Sequence, residues 1–164
     1  MRILGIDPGL RHTGWGIIEA SGNRLRFIST GLISTKSSTS FSQRLHHIDM
    51  ELSKAISSFS PDSAAIEETF VNQNPSSTLK LGMARGAAIT SVARADLPVA
   101  EYAARFVKKA ISGSGRADKS QLSMMISHLL GIREKLAEDQ SDALAVAICH
   151  ANNAKTPREL ESFL

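Results

Sequence analysis

The chain has 164 residues, 42% of them hydrophobic, which is enough for about one domain with a sizeable core and excludes an intrinsically disordered protein. Its 19 Lys and Arg against 16 Asp and Glu leave a mild positive excess that favours a polyanionic partner. The single cysteine, Cys149, excludes an intramolecular disulfide and reads as a core residue in a reducing compartment; neither a secretory signal nor a run of about 18 apolar residues is visible, so a soluble cytoplasmic protein is expected.

Strands come first along the chain, then helices and strands alternate. Residues 2–7 carry the apolar run Ile3-Leu4-Gly5-Ile6 and read as a short buried strand ending at Asp7, where Pro8-Gly9 turn the chain. Trp15-Gly16-Ile17-Ile18 and Leu25-Arg26-Phe27-Ile28 read as an antiparallel hairpin around Ser21-Gly22-Asn23. The Ser/Thr-rich stretch 34–42 leads into a helix whose core face is Leu45, Ile48, Leu52, Ile56 and Phe59. Ser60-Pro61-Asp62 closes that helix, and 63–68 returns as a strand through Ala64-Ala65-Ile66 to Glu67. A polar loop over 71–77 precedes a helix over 78–95, and Leu97-Pro98-Val99-Ala100 reads as a fifth strand. Helices follow at 102–111, 119–130 and 140–153, and the polar tail from Lys155 is expected to fray. The order predicts an α/β fold, a mixed five-stranded sheet flanked by helices, in one domain over 1–154 with a tail over 155–164.

Acidic residues beside apolar segments carry the functional signal. Asp7 and Glu67 each end a buried strand, and Asp139 and Asp142 sit three apart at the start of the helical run from Ala143 to Ile148, on one face of its first turn. Singly, each is explained as a turn former or a helix cap. Together they can converge at the carboxyl edge of the sheet, where sites in open α/β folds gather. Buried carboxylates need partners or metal, and an all-oxygen set suits Mg²⁺ or Mn²⁺, ions that drive phosphoryl transfer in pairs. Glu68 rivals Glu67, but adjacent strand residues point to opposite faces, so only one can face the others. Glu138 reads as a solvated charge at a helix N-terminus.

A series of motifs resembles one known family, the RuvC Holliday-junction resolvases. Gly5-Ile6-Asp7-Pro8-Gly9 and Thr13-Gly14-Trp15-Gly16 are similar to its opening. Ala65-Ile66-Glu67-Glu68-Thr69-Phe70, Leu79-Lys80-Leu81-Gly82 with Ala84-Arg85-Gly86, and Glu101-Tyr102-Ala103-Ala104-Arg105 continue the resemblance. Asp118-Lys119-Ser120 and Asp139-Gln140-Ser141-Asp142-Ala143-Leu144-Ala145 close it, in order over about residues 1–150. The resemblance implies an RNase H-like fold, a homodimer, and metal-dependent cutting of four-way DNA junctions by two symmetric nicks that leave 5′-phosphate and 3′-hydroxyl ends. It further implies the RuvA–RuvB branch-migration complex as a partner.

By the same resemblance Asp7, Glu67, Asp139 and Asp142 are ligands of two Mg²⁺ ions, with Asp7 the bridge and Mn²⁺ a substitute. Lys108 and Lys119 correspond to positions supporting the scissile phosphate, and Phe70 to a base-stacking position. The surrounding Lys80, Arg85, Arg105, Lys109 and Arg116 are candidate DNA contacts, with Gly113 and Gly115 allowing close backbone approach. Gly82 and Gly86 lie on one helix face and either pack against the chain's own sheet or form the dimer interface. His12 departs from the family's first loop and reads as a surface residue near DNA.

Two other readings fit part of the pattern. The Asp7 loop also resembles the phosphate-binding turn of actin–hexokinase ATPases, but those need two such domains. A non-catalytic junction-binding module has no use for a negative cluster facing phosphates.

Overall fold

The computed structural model describes residues 1–68, 74–114 and 116–154. The hairpin around Gly22, whose φ of 56° suits glycine, joins β2 (His12–Ser21) to β3 (Arg24–Ser34), both longer than their apolar cores suggest. β1 (Arg2–Asp7) pairs antiparallel with β2 and parallel with β4 (Ser63–Glu67), and β5 (Val99–Tyr102) extends the parallel side. The sheet order is β3-β2-β1-β4-β5, the mixed five-stranded sheet expected.

Two helices cover one face and three the other. α1 (Phe41–Phe59) and α2 (Pro75–Arg94) bury Ile48, Leu52, Ala84, Ala88 and Val92 against Leu4, Ile6, Ile17 and Ile66. α3 (Ala104–Ser112), α4 (Lys119–Leu130) and α5 (Glu138–Asn153) bury Val107, Ile126, Leu144 and Ile148 against Ile3, Ile18 and Ala65. Cys149 lies in that core, and burial pushes its thiol up to about 11, so it stays protonated.

Several boundaries differ from the sequence reading by a few residues, α3 and α5 among them, and two of the shifts have a clear local cause. α2 starts at Pro75 instead of 78, because the Asn74 side chain accepts the Ser77 N–H at 3.2 Å and proline fits a first helical position whose N–H would have no partner. β5 starts at Val99, two residues late: Leu97 N–H still closes the preceding helix on the Val92 carbonyl, and Pro98 has no N–H to give the ladder. The tail from Lys155 lies outside the described residues.

Strand alternation sends Ile3, Gly5 and Asp7 of β1 to the α5 face, opposite Ile18, Gly16 and Gly14 of β2. The three glycines let α5 lie directly on the sheet. A Cβ on Gly5 would strike the Ala143 carbonyl, one on Gly14 the Asp139 carbonyl, and one on Gly16 the Leu144 side chain. At the far end of α5, His150 bridges the Tyr102 hydroxyl at 2.9 Å and the Ser63 hydroxyl at 3.2 Å, tying the helix to β5 and β4.

Candidate active site

The parallel register aligns Ile6 with Ile66, so Asp7 and Glu67 end adjacent strands side by side on the α5 face. Glu68 is exposed and turned away, as alternation requires. Above Gly14, the β2 partner of Asp7, runs the Asp139 backbone at the start of α5. The helix start is held by the Gln140 side chain, which accepts the Ala137 N–H at 3.0 Å. Glu138 and Asp139 occupy its first turn, where the helix dipole favours negative charge.

Proximity is written into the protonation of the cluster. Burial, then Asp142, Glu67 and Asp139, push Asp7 up to about 8. Burial and Asp142 also raise Glu67, against the opposing pull of Lys108 and Lys119. Asp142 is raised by burial, with Lys119 the chief counterweight. An acid of pKa about 8 carries its proton at neutral pH, because a fourth negative charge is resisted. Among the described residues no three acidic, histidine or cysteine side chains are placed so that they could hold a metal ion. The donor set nevertheless suits a hard divalent cation: it is all carboxylate oxygen, and its uncompensated repulsion is what such an ion relieves.

Lys108 and Lys119 stand at the same place. With Glu67 and Asp142 they line a cleft of about 130 Å³. Lys119 also reaches Glu138, whose carboxylate accepts its ammonium proton, so Glu138 is exposed but paired instead of merely solvated. That contact raises the Lys119 pKa.

Other sequence candidates fall elsewhere. Lys80, Arg105, Lys109 and Arg116 are exposed, and none lines the cleft between Glu67 and Asp142. Arg85 is turned inward: its Nε donates to the Glu67 carbonyl at 3.2 Å and its terminal nitrogen pairs with Glu101. Phe70 and Gly115 lie outside the described residues. Gly113 serves as a left-handed cap of α3, with φ 71°. Gly82 and Gly86 are exposed, with open space where a Cβ would stand, so their packing against the chain's own sheet is overturned. Sequence reading missed the cations on the other flank of the acids, Arg11 and Lys36. The signal available was their position, Arg11 immediately before β2 and Lys36 two residues after β3, at the same edge as Asp7.

The crossover junction endodeoxyribonuclease RuvC profile matches residues 3–150. A RuvC of Acidiphilium cryptum is 51% identical over 155 residues, covering 94% of this chain and 93% of its own. That of Xanthobacter autotrophicus is 54% identical over 153 residues, covering 93% and 90%. Among solved structures, T. thermophilus RuvC in complex with Holliday junction substrate superposes with a TM-score of 0.87 at 30% identity, covering 92% of this chain and 93% of that one. The sheet order and helix placement are thus RNase H-like, and a match over nearly the whole chain leaves no room for the two-domain ATPase reading. The chain belongs to the RuvC family of crossover junction endodeoxyribonucleases.

Proposed function

We propose that the protein resolves four-way DNA junctions by paired symmetric nicks, through hydrolysis of one phosphodiester in each of two opposed strands to leave 5′-phosphate and 3′-hydroxyl ends. One observation supports this reading: Asp7 and Glu67 from strand ends and Asp139 and Asp142 from a helix start gather at one sheet edge, where burial and then the neighbouring acids raise the Asp7 pKa, with two lysines beside them.

Divalent-metal dependence belongs to the family, and Mg²⁺, with Mn²⁺ as a substitute, is our assignment. Asp7, Glu67, Asp139 and Asp142 would hold two ions, which when bound supply an activated water, neutralise phosphate charge and stabilise the leaving oxygen. Asp7, central to the cluster, would be the ligand shared between them. Lys108 and Lys119 hold the scissile phosphate, and Phe70 stacks on a base at the junction centre.

Two opposed nicks call for two sites related by a two-fold axis, and one chain contributes one site, so the working form is a homodimer. The open face of α2, with Gly82, Gly86 and the exposed Leu79 and Met83, is the surface we assign to it. Residues 1–154 act as a single nuclease domain in the cytoplasm, alongside a RuvA–RuvB branch-migration complex. No helix among the described residues is long and apolar enough to cross a membrane.

The test is cleavage of a synthetic four-way junction beside linear duplex of the same sequence, with Mg²⁺ and with chelator. Metal-dependent, paired nicks in the junction are expected. Binding without cutting, or equal cutting of the linear duplex, would overturn the reading.

A further inference from the structure

We infer that Arg11, His12 and Lys36 form a second phosphate-binding groove, which holds the backbone of a DNA arm leading away from the cut site. The inference rests on the junction-cutting reading above. A cleft of about 490 Å³ is lined by Arg11, His12, Lys36 and Arg44 among hydroxyl side chains, with no carboxylate. It shares Thr35, Lys36 and Arg44 with an adjoining cleft of about 650 Å³ that runs along α1 past His46 and His47. The carboxylate in that second cleft, Glu51, is already paired with Lys54 at 2.6 Å. Together they make a groove too long for one small anion and suited to a run of phosphates.

The groove is built on fixed backbone. The Thr13 hydroxyl donates to the Gly9 carbonyl at 2.6 Å and accepts the Gly9 N–H at 3.2 Å. Thr35 donates its N–H to the Arg11 carbonyl at 3.0 Å and its hydroxyl to the Leu10 carbonyl at 2.5 Å. Arg44 braces Thr35 at 2.8 Å, so its guanidinium is committed to holding the loop. Arg11 and Lys36 are exposed and, among the described residues, neither is ion-paired. His12 is anchored at 3.1 Å from the Ser34 hydroxyl.

Position supplies the occupant. β1, β3 and β4 end, and β2 begins, at the same sheet edge. Asp7 and Glu67 end β1 and β4 and Asp139 starts its helix above β2, with Lys108 and Lys119 beside Glu67 on one flank and Arg11, His12 and Lys36, where β2 begins and β3 ends, on the other. From β1 to β3 is two strand spacings, about 10 Å, within the reach of a single nucleic-acid strand passing over this edge. A backbone passing over this edge from the α5 face toward the α1 face would place its cut bond over the acids and its next phosphates in the groove.

The experiment measures junction binding against salt in an Asp7→Asn background, which binds without cutting. Arg11→Gln with Lys36→Gln should lower the slope of log K against log salt by about 1.8, at about 0.9 for each lost phosphate contact. Arg26→Gln, at the other end of β3 and paired with Glu19, should leave it unchanged. Junctions whose arms stop short of β3 should bind the double variant and its parent alike. If the double variant does not fold, Lys36→Gln alone should lower the slope by about 0.9. An unchanged slope in folded variants, while Lys119→Gln still lowers it, overturns the groove and spares the junction reading. No preference for junction over duplex in the parent overturns both.

Discussion

Arg85 donates from Nε to the carbonyl oxygen of Glu67 at 3.2 Å, so a residue of α2 fixes the backbone of the strand end that presents a cluster carboxylate. The same guanidinium pairs with Glu101 of β5, and its side chain is only 18% exposed. Arg85 therefore reads as a positioning residue more than a DNA contact. Arg85→Ala should lower cleavage roughly 10- to 100-fold, the usual range when a ligand's support is lost, and leave the salt slope of junction binding intact. Arg85→Lys should recover little, since one ammonium cannot reproduce the two-way fork. A slope reduced by about one unit would instead make Arg85 a phosphate contact.

The raised Asp7 pKa makes metal-free stability depend on pH. The folded protein keeps this proton up to about 8, while the unfolded chain releases it near 3.8. Between those values the folded state binds more protons, so stability falls as pH rises and the full penalty is present above about 8. A divalent cation must displace the proton, so its stabilising effect should grow over the same window. Asp7→Asn, isosteric with the protonated acid, should flatten the pH dependence, shrink the Mg²⁺ shift and abolish cutting. Thermal melts with and without Mg²⁺ across that range, beside cleavage assays, measure all three.

Gly14→Ala would drive a methyl into the Asp139 carbonyl. Overpacking of this kind costs about 1–3 kcal/mol, and here the displaced element carries Asp139 and Asp142. Cleavage should fall further than the loss of melting temperature accounts for. A variant that melts lower but cuts normally once folded would show that α5 can shift without disturbing the acids.

A Cβ added at Gly82 or Gly86 meets nothing within 4 Å beyond its own helix backbone, so Gly82→Leu and Gly86→Leu start into open space. Each should leave the melting of the isolated subunit nearly unchanged and weaken self-association, read by sedimentation against concentration. Wild type that sediments as a monomer while still making paired nicks would contradict the homodimer.

Lys119 is paired with Glu138, which on the proposed assignment competes with the DNA phosphate for it. Glu138→Gln should tighten junction binding by releasing that ammonium, whereas Lys119→Ala should reduce the salt slope by about one unit and slow cleavage. Identical slopes for wild type and Lys119→Ala would remove Lys119 from the phosphate path.

Much of this was legible in the sequence, because buried strands and acids that end them leave strong local patterns. Asp7 and Glu67 stood out against Ile3-Leu4-Gly5-Ile6 and Ala64-Ala65-Ile66; alternation allowed only one of Glu67 and Glu68 to face the other acids, and the family motif favoured Glu67. What escaped was set by tertiary contact. Arg85 looked like one basic residue among several, since nothing local says that its guanidinium turns toward Glu67 and Glu101. Gly82 and Gly86 left two readings open until their outward placement was seen. Pro75 reads as loop or helix start with equal ease, and the Asn74 cap decided it.

The carboxylates come from opposite ends of the chain, Asp7 from its first strand and Asp142 from its last helix. A chain still emerging from the ribosome carries the strand acids long before α5 exists to complete them. Fragments left by proteolysis are in the same state, with half a cluster and nothing to cut with. On the proposed assignment, a nuclease arranged this way is silent during its own synthesis and decay, and becomes a hazard to DNA only once folding is finished.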